Sequence, residues 1–235
     1  MKSCSFLFFL EKCWYLLFRF KKNTRQEAAD IHPIFLERRS LYAMSGERIS
    51  NQVLMQLFEA ARWAPSEYNT QPWRFIYAHR ETASWDRLFS LLVPWNQQWA
   101  QYASTLVLII SRDTFEYNNQ NSRTHSFTTG AAWMSFALQA TFLGVIAHGI
   151  SGFDYEKARL MCNVPDGYTI EAMCVVGLPG DINILPKEFI VKEVPSTRKT
   201  VDSIISEGVF NFSAQDDYVL CYSIYFFCNN TNTRV

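Results

Sequence analysis

Apolar and polar residues between positions 50 and 65 alternate with the period of a helix. Ser50 is a predicted N-cap, and Pro65 is expected to stop the helix because proline lacks the backbone N–H. Apolar side chains recur at intervals of three and four, which places them on one face of the predicted helix. This face consists of Val53, Leu54, Leu57, Phe58 and Ala61.

The remaining pattern predicts four strands and four further helices. Runs rich in β-branched and aromatic residues predict strands at residues 73–78, 104–111, 145–150 and 170–180. Amphipathic or long apolar segments predict helices at residues 83–93, 94–103, 124–144 and 154–164. Gly144 is the expected end of the third of these and Asp154 the N-cap of the fourth. Because no strict β-α-β rhythm appears, we expect an α+β fold with helices flanking one central sheet.

The two ends of the chain differ from its middle, so we expect an apolar N-terminal extension (1–30), a central domain (31–208) and a C-terminal tail (209–235). Glu11 and Lys12 divide the first apolar stretch into two runs of roughly seven residues, short of the about 20 that a membrane span needs. No small-residue cleavage site follows. This extension is either a membrane-surface helix or a poorly specified segment, and residues 218–227 are either an added edge strand or an unpacked tail.

Charge and cysteine usage narrow the class of protein. Lys plus Arg and Asp plus Glu both number 22, so the chain lacks the excess of basic residues that is typical of a nucleic-acid-binding surface. The six cysteines form no C-x-x-C pair, and the four histidines form no H-E-x-x-H motif. We therefore expect reduced thiols, no metal site and a cytoplasmic protein, with weak membrane contact through the N-terminal segment as an option.

Three short motifs carry candidate chemistry. Arg38 and Arg39 precede Ser40, and Arg198 and Lys199 lie between hydroxyl residues. Guanidinium groups bind phosphate oxygens in a bidentate manner, although the same residues also suit a solvated surface. A turn at Ser151 and Gly152 would let backbone approach a flat ligand, or is an ordinary strand-to-helix turn. The chain has neither a G-x-G-x-x-G nor a G-x-x-x-x-G-K-[ST] motif and shows no nucleophile with a base, which points to a cofactor that carries the reaction.

Five motifs together resemble the nitroreductase family of FMN-dependent oxidoreductases. They are RRS (38–40), EAARWAPSEYNTQPWRFIYA (59–78), WNQQWAQYASTLVLIISR (95–112), TGAAWMSFALQATFLGVIAHGISGFD (129–154) and PSTRK (195–199). The resemblance covers residues 32–208. It implies a nitroreductase-like α+β fold, with a central mixed, mainly antiparallel sheet flanked by helices. It also implies a homodimer with FMN at the interface.

The resemblance assigns flavin-binding roles to residues that match the family's motifs. The phosphate and ribityl end would be held by residues from both ends of the domain: Arg38, Arg39, Ser40, Tyr42, Arg198 and Lys199. Asn96 would bond the pyrimidine edge, while Ser151 and Gly152 would present backbone near N5. The other subunit would contribute a bend fixed by two prolines, with Pro65, Ser66, Glu67, Asn69 and Gln71.

Two departures from the family pattern bear on flavin binding. Glu67 stands where serine is common, and a carboxylate facing the flavin would disfavour its anionic reduced form. Tyr42 replaces a basic residue, which removes one charge from the expected phosphate site.

The reaction implied is a hydride relay from NADH or NADPH through flavin N5 to a nitroaromatic, quinone or related acceptor. No protein side chain is expected to be the reactive centre. Candidates for the wall facing the acceptor are Trp99, Tyr68, His125 and Phe127. The alternatives are a flavin-storage or regulatory protein with little turnover, and a membrane-docked interaction protein. The physiological acceptor and the choice between NADH and NADPH stay open.

Overall fold

The computed structural model describes residues 25–212, which divide into two compact units. The first is Ile31–Pro195, and the second combines Arg25–Asp30 with the described residues from 196 onward. The predictions for the first apolar segment and for residues 218–227 fall on residues 1–24 and 213–235, outside the described part.

A four-stranded sheet forms the centre of the first unit. Its strands are β1 (Trp73–His79), β2 (Thr105–Arg112), β3 (Ile146–Ile150) and β4 (Tyr168–Gly177), in the order β1-β2-β4-β3. Every neighbouring pair is antiparallel. The α+β prediction is therefore confirmed, and the sheet in the described residues is wholly antiparallel.

Seven α-helices accompany the sheet in the described part of the first unit. They are α1 (Ile34–Glu37), α2 (Asn51–Arg62), α3 (Ala83–Phe89), α4 (Pro94–Ala100), α5 (His125–Phe142), α6 (Tyr155–Met161) and α7 (Lys187–Ile190). The predicted caps are confirmed, because Ser50 accepts a hydrogen bond from the Val53 N–H and Asp154 accepts one from the Lys157 N–H. Gly144 follows α5 with a φ of 70°, a left-handed conformation that glycine adopts without strain.

Strand β2 is buried on both faces and separates two hydrophobic cores. Leu106, Leu108 and Ile110 face a core that includes Trp99 of α4. Val107 and Ile109 alternate with them and face a second core beneath α2 and α5. Side chains of a strand point to opposite faces with a period of two, so a continuous apolar run is what such a central strand requires.

One irregularity interrupts the pairing of β2 with β4. Ile109 pairs with Ala172, whereas the next residue, Ile110, pairs with Ile170. Glu171 is therefore an extra residue on β4, which is the geometry of a β-bulge. The bulge presents a carboxylate within an otherwise apolar strand.

Within residues 25–212 no helix has both the length and the apolar character that crossing a membrane requires.

Candidate active site

The end of β3 and the start of α4 meet at Gly152. The Gly152 carbonyl accepts hydrogen bonds from the Val93 N–H (3.2 Å) and from Asn96 Nδ2 (2.9 Å). A Cβ at position 152 would lie 2.6 Å from Asn96 Nδ2, so the contact requires glycine. The structure thus brings together two segments that sequence reasoning assigned separately to the flavin. Asn96 Oδ1 has no hydrogen-bond partner among the described residues, and Ser151 is exposed.

The bend after α2 is held by hydrogen bonds within itself. Ser66 Oγ accepts the Gln71 N–H at 2.8 Å, and the Ser66 carbonyl accepts the Asn69 N–H at 3.0 Å. Three residues have positive φ: Tyr68 (47°), Asn69 (55°) and Gln71 (48°). Non-glycine residues rarely adopt this region, and such strain clusters at functional sites. Pro65 and the side chains of Tyr68 and Asn69 are exposed.

The Glu67 carboxylate is hydrogen-bonded to residues of the same chain. It accepts hydrogen bonds from Thr124 Oγ1 and, at 3.4 Å, from Ser122 Oγ. Both hydroxyls precede α5, and a carboxylate near a helix N-terminus is favourable. The Glu67 carboxylate, which departs from the family pattern, is therefore hydrogen-bonded to residues that precede α5.

The predicted phosphate-binding segment contacts a residue that sequence reasoning did not single out. Arg39 Nη2 donates to the Glu193 carbonyl, while Glu193 Oε1 accepts the N–H groups of Tyr42 and Ala43. Burial lowers the pKa of Arg39, an effect that Glu193 opposes. Burial and the Glu193 charge both raise the pKa of Tyr42. No sequence signal marks Glu193, because it lies about 150 residues away in a polar connector.

The aromatic rings of Trp99 and His148 pack against the segment that contains Tyr42. The His148 ring stacks on Trp99 (centroids 4.5 Å apart) and meets the Tyr42 ring at 4.7 Å. His148 Nδ1 donates to the Leu41 carbonyl at 3.0 Å. Burial lowers the pKa of His148 to about 4, and the charge of Arg38 acts in the same direction. Trp99 is 1% exposed, so its position is in the core and not on an accessible acceptor wall.

Arg198 and Lys199 belong to the second unit. Arg198 Nη1 donates to Ser196 Oγ (2.9 Å) and to the Thr197 carbonyl (2.8 Å). Arg25 also donates to Ser196, which joins the two chain segments of this unit. The roles of these two cations at a phosphate stay a prediction.

A cavity of about 280 Å³ lies between α5 and the sheet. Ser126, Thr129 and Trp133 line it from α5, and Ser151 and Glu171 line it from the strand side. Thr129 is 1% exposed and its hydroxyl has no hydrogen-bond partner. A buried hydroxyl without a partner is costly, so Thr129 is an unsatisfied polar residue in the wall of this cavity.

One end of this cavity adjoins a polar cluster that sequence reasoning found only in part. His125 was a candidate for the acceptor wall, whereas Ser111 and Glu171 were not singled out. Ser111 Oγ lies 2.7 Å from His125 Nδ1 and 2.5 Å from Glu171 Oε1. The sequence signal that could have revealed Glu171 is a single carboxylate within a mostly apolar predicted strand. Among the described residues no group of three or more His, Cys, Asp or Glu side chains is suited to hold a metal ion.

Phe127, the last of the acceptor-wall candidates, projects from the first turn of α5. Phe127 is 82% exposed, and Tyr68 is 78% exposed. Both are thus open to a ligand or to a second subunit, in contrast to Trp99.

Comparisons with known proteins identify the family to which this fold and site belong. The model of the nitroreductase family matches residues 35–92. The crystal structure of an oxidoreductase containing FMN is 39% identical, with a TM-score of 0.78, and the match covers 82% of this chain and 99% of that one. The chain belongs to the nitroreductase family.

Two further relatives are more limited in what they share. A nitroreductase family protein from Clostridium difficile 630 is 18% identical with a TM-score of 0.60, covering 77% of this chain and 100% of that one, and it supports the fold. The Bacillus subtilis (strain 168) protein "Putative NAD(P)H nitroreductase YfhC" is 36% identical over 52 residues, which are 22% of this chain. The match spans about a quarter (27%) of the length of that curated relative.

Proposed function

We propose that this protein is an FMN-dependent oxidoreductase that takes hydride from NADH or NADPH and delivers it to a nitroaromatic, a quinone or a related acceptor. The observation that carries this proposal is the contact of Asn96 with Gly152. It joins the start of α4 to the end of β3 and leaves an amide oxygen and an exposed turn side by side. The FMN of the 39% identical relative supports the choice of cofactor.

The residues present fit such a cofactor. Asn96 Nδ2 and Val93 Cγ2 occupy the space that a Cβ at position 152 would need, so this residue of the turn presents backbone without a side chain. Asn96 offers an acceptor oxygen, and Ser151 is an exposed residue whose backbone N–H is a donor, which suits the mixed donor and acceptor edge of a flavin. Arg38 and Arg39, followed by Ser40, supply cations and a hydroxyl for a phosphate.

In this proposal the phosphate end is bound by residues 38–42. Glu193 holds the backbone of Tyr42 and Ala43 by accepting both N–H groups, so it orients the segment that carries the arginines. His148 fixes the same segment through the Leu41 carbonyl. Rigid support of this kind reduces the ordering that binding requires.

The second half of the proposed site comes from another copy of the chain. Exposed apolar side chains on α5 support a homodimer, because Phe127 is 82% and Phe142 is 63% exposed. The partner's bend would bring Pro65, Ser66, Glu67, Asn69 and Gln71 to the ring. Its left-handed residues are already held by internal hydrogen bonds, so little ordering remains to be done on assembly.

Bound FMN would supply hydride acceptance and donation at N5, and the chain would supply position and electrostatics. Asn96 would orient the ring by its amide. Backbone N–H groups at the turn of Ser151 and Gly152 would stabilise negative charge that develops during reduction. The rings of Trp99 and His148 pack against Tyr42 and support the segment that carries the arginines.

The visible absorbance spectrum of the purified full chain, after incubation with FMN and removal of unbound flavin, tests the proposal. We expect flavin bands that bleach when NADH or NADPH is added without oxygen. Bands that persist with both nucleotides would favour a flavin-storage role. A colourless protein that takes up no FMN would contradict the proposal.

Gly152→Ala is expected to raise the dissociation constant for FMN at least about 10-fold, which corresponds to about 1.4 kcal/mol. The new methyl group would displace Asn96 Nδ2, which lies 2.6 Å from its position, and would press on Val93. Quenching of flavin fluorescence measures the affinity. Asn96→Ala should weaken binding similarly, whereas Gln98→Ala, on the same helix, should not. Parent-like affinity in a folded Gly152→Ala protein would argue against the assigned contact.

A further inference from the structure

A hydrogen-bonded chain of three side chains leads from His125 to the cavity. His125 Nδ1 lies 2.7 Å from Ser111 Oγ, and Ser111 Oγ donates to Glu171 Oε1 at 2.5 Å. Ser111 is completely buried, while the His125 side chain is 21% exposed. The chain therefore fixes the position of a carboxylate that lines the cavity and whose side chain is itself 22% exposed.

Three different elements meet to build it. His125 is the first residue of α5, Ser111 lies near the end of β2, and Glu171 is the extra residue of the β4 bulge. A regular pairing of the two strands would give Glu171 a partner on β2 and a different direction. Bulges recur beside active sites, where they re-aim a side chain.

The direction of the hydrogen bonds follows from the groups around the imidazole. Nδ1 faces the Ser111 hydroxyl, whose hydrogen is given to Glu171, and two carboxylates, Glu171 at 3.6 Å and Asp113 at 3.8 Å. All three present acceptor oxygens to this nitrogen, so Nδ1 carries a hydrogen. The order is then Nδ1–H to Ser111 Oγ–H to Glu171 Oε1. Ser126 gives a parallel branch, because its hydroxyl donates to the same carboxylate oxygen at 2.7 Å.

At the cavity end of this hydrogen-bonded chain, Glu171 lines the same cavity as Ser151, which is proposed to bind the cofactor. Glu171 lines the cavity together with Ser151 and with Thr129, whose hydroxyl has no partner. Among the described residues, Tyr155 of α6 is a further titratable group affected by Glu171, because burial and then the Glu171 charge raise the pKa of Tyr155. An acceptor that enters this cavity would meet the carboxyl group of Glu171.

We propose that Glu171 is the proton donor to the acceptor, with Ser111 and His125 as positioning residues that hold its carboxyl group in the cavity lining. The proposal rests on the proposed function, which supplies the hydride. A quinone that has received a hydride is a hydroquinone anion. The O–H bond of protonated Glu171 breaks as an O–H bond forms on that anion.

Glu171 is then a carboxylate, and solvent returns its proton. Its side chain is 22% exposed, so a hydronium ion can reach it. One O–H bond of the hydronium ion breaks as one forms on Glu171, so no further reactant is needed. Ser111 and Ser126 keep their hydrogens and hold Oε1 by donating to it.

The tautomer of His125 tests the hydrogen-bonded chain in the protein without FMN. Nitrogen-15 NMR of the imidazole rings is expected to show neutral His125 with its hydrogen on Nδ1. His32 is an internal control with the opposite expectation, because its Nδ1 accepts the Ile34 N–H at 3.2 Å. Neutral His125 with its hydrogen on Nε2 would overturn the assigned order of the hydrogen bonds, and with it the positioning role of His125.

The half-reactions of the FMN-loaded enzyme test the role of Glu171. In Glu171→Gln, reoxidation by a quinone should be at least about 10-fold slower, since general acid catalysis contributes about 10²–10⁴-fold. Reoxidation by ferricyanide, which takes electrons alone, and reduction by NADH or NADPH should keep their parent rates. Glu156→Gln, an exposed change on α6, is the matched control.

An unchanged quinone rate in Glu171→Gln would overturn this proposal and leave the proposed function intact. Equal losses in all three rates would indicate a structural role and would also overturn it. A chain that takes up no FMN would end the proposed function and this proposal together.

Discussion

Trp99→Ala is expected to lower the free energy of unfolding by about 4 kcal/mol, within the range of about 3–5 kcal/mol for aromatic truncations in a core. Trp99 is 1% exposed and packs against the rings of Tyr42 and His148 at 5.0 and 4.5 Å. Removing the indole leaves a cavity between α4 and the segment that leads to the arginines. Urea unfolding at one fixed protein concentration measures the loss.

Trp99→Phe separates packing from polarity at the same position. The indole N–H of Trp99 is buried without a hydrogen-bond partner, and such a donor costs about 1–3 kcal/mol. Phenylalanine removes this donor and keeps most of the apolar contact, so we expect a loss below about 2 kcal/mol. Trp63→Ala, at a position that is 74% exposed, should change stability by less than about 1 kcal/mol. Equal losses at Trp99 and Trp63 would contradict the burial of Trp99.

Lowering the pH from 6.5 to about 4 is expected to remove about 3 kcal/mol of stability through His148 alone. Burial lowers the pKa of His148 from 6.5 to about 4, and each unit corresponds to about 1.4 kcal/mol. Below pH 6.5 the unfolded chain binds the proton and the folded chain does not. The contribution is therefore complete above pH 6.5, declines as the pH falls, and is lost once the folded pKa is reached.

His148→Asn tests this assignment, because an amide nitrogen can replace Nδ1 as the donor to the Leu41 carbonyl and does not titrate. Urea unfolding between pH 4 and 7 should show a weaker pH dependence in this variant than in the parent. His32→Asn changes an exposed histidine and should keep the parental slope. A parental slope in His148→Asn would assign the acid sensitivity to other groups.

The helices and strands of the domain were predictable because their signals are local. Ser50 and Asp154 cap helices, as expected from hydroxyl and carboxylate groups that accept an N–H three residues later. The run from Thr105 to Arg112 is apolar on both faces because it lies between two cores. Local patterns state what an element is, but they do not state which neighbours it has. The order β1-β2-β4-β3 was not predicted for this reason.

The candidate site was predictable only where a short motif or the family resemblance marked its residues. Asn96, Ser151 and Gly152 were assigned separately, and their contact spans 56 residues of sequence. Glu193 binds backbone groups of Tyr42 and Ala43, an interaction that any carboxylate can make and no motif records. Glu171 depends on a bulge, and a bulge is a property of the pairing of two strands. Its register cannot be read from one strand alone.

The strand order also determines when the site can form during synthesis. Strand β3, which ends one residue before Ser151, pairs only with β4 in the described part of the chain. A nascent chain that has not reached Gly177 therefore lacks the neighbour that holds β3 in the sheet. Pairing of Thr105 with Val176 closes a long loop, and such non-local closure slows folding. Until it occurs, the apolar β2 run is an unpaired edge, and a pause in translation before residue 177 would prolong its exposure to aggregation.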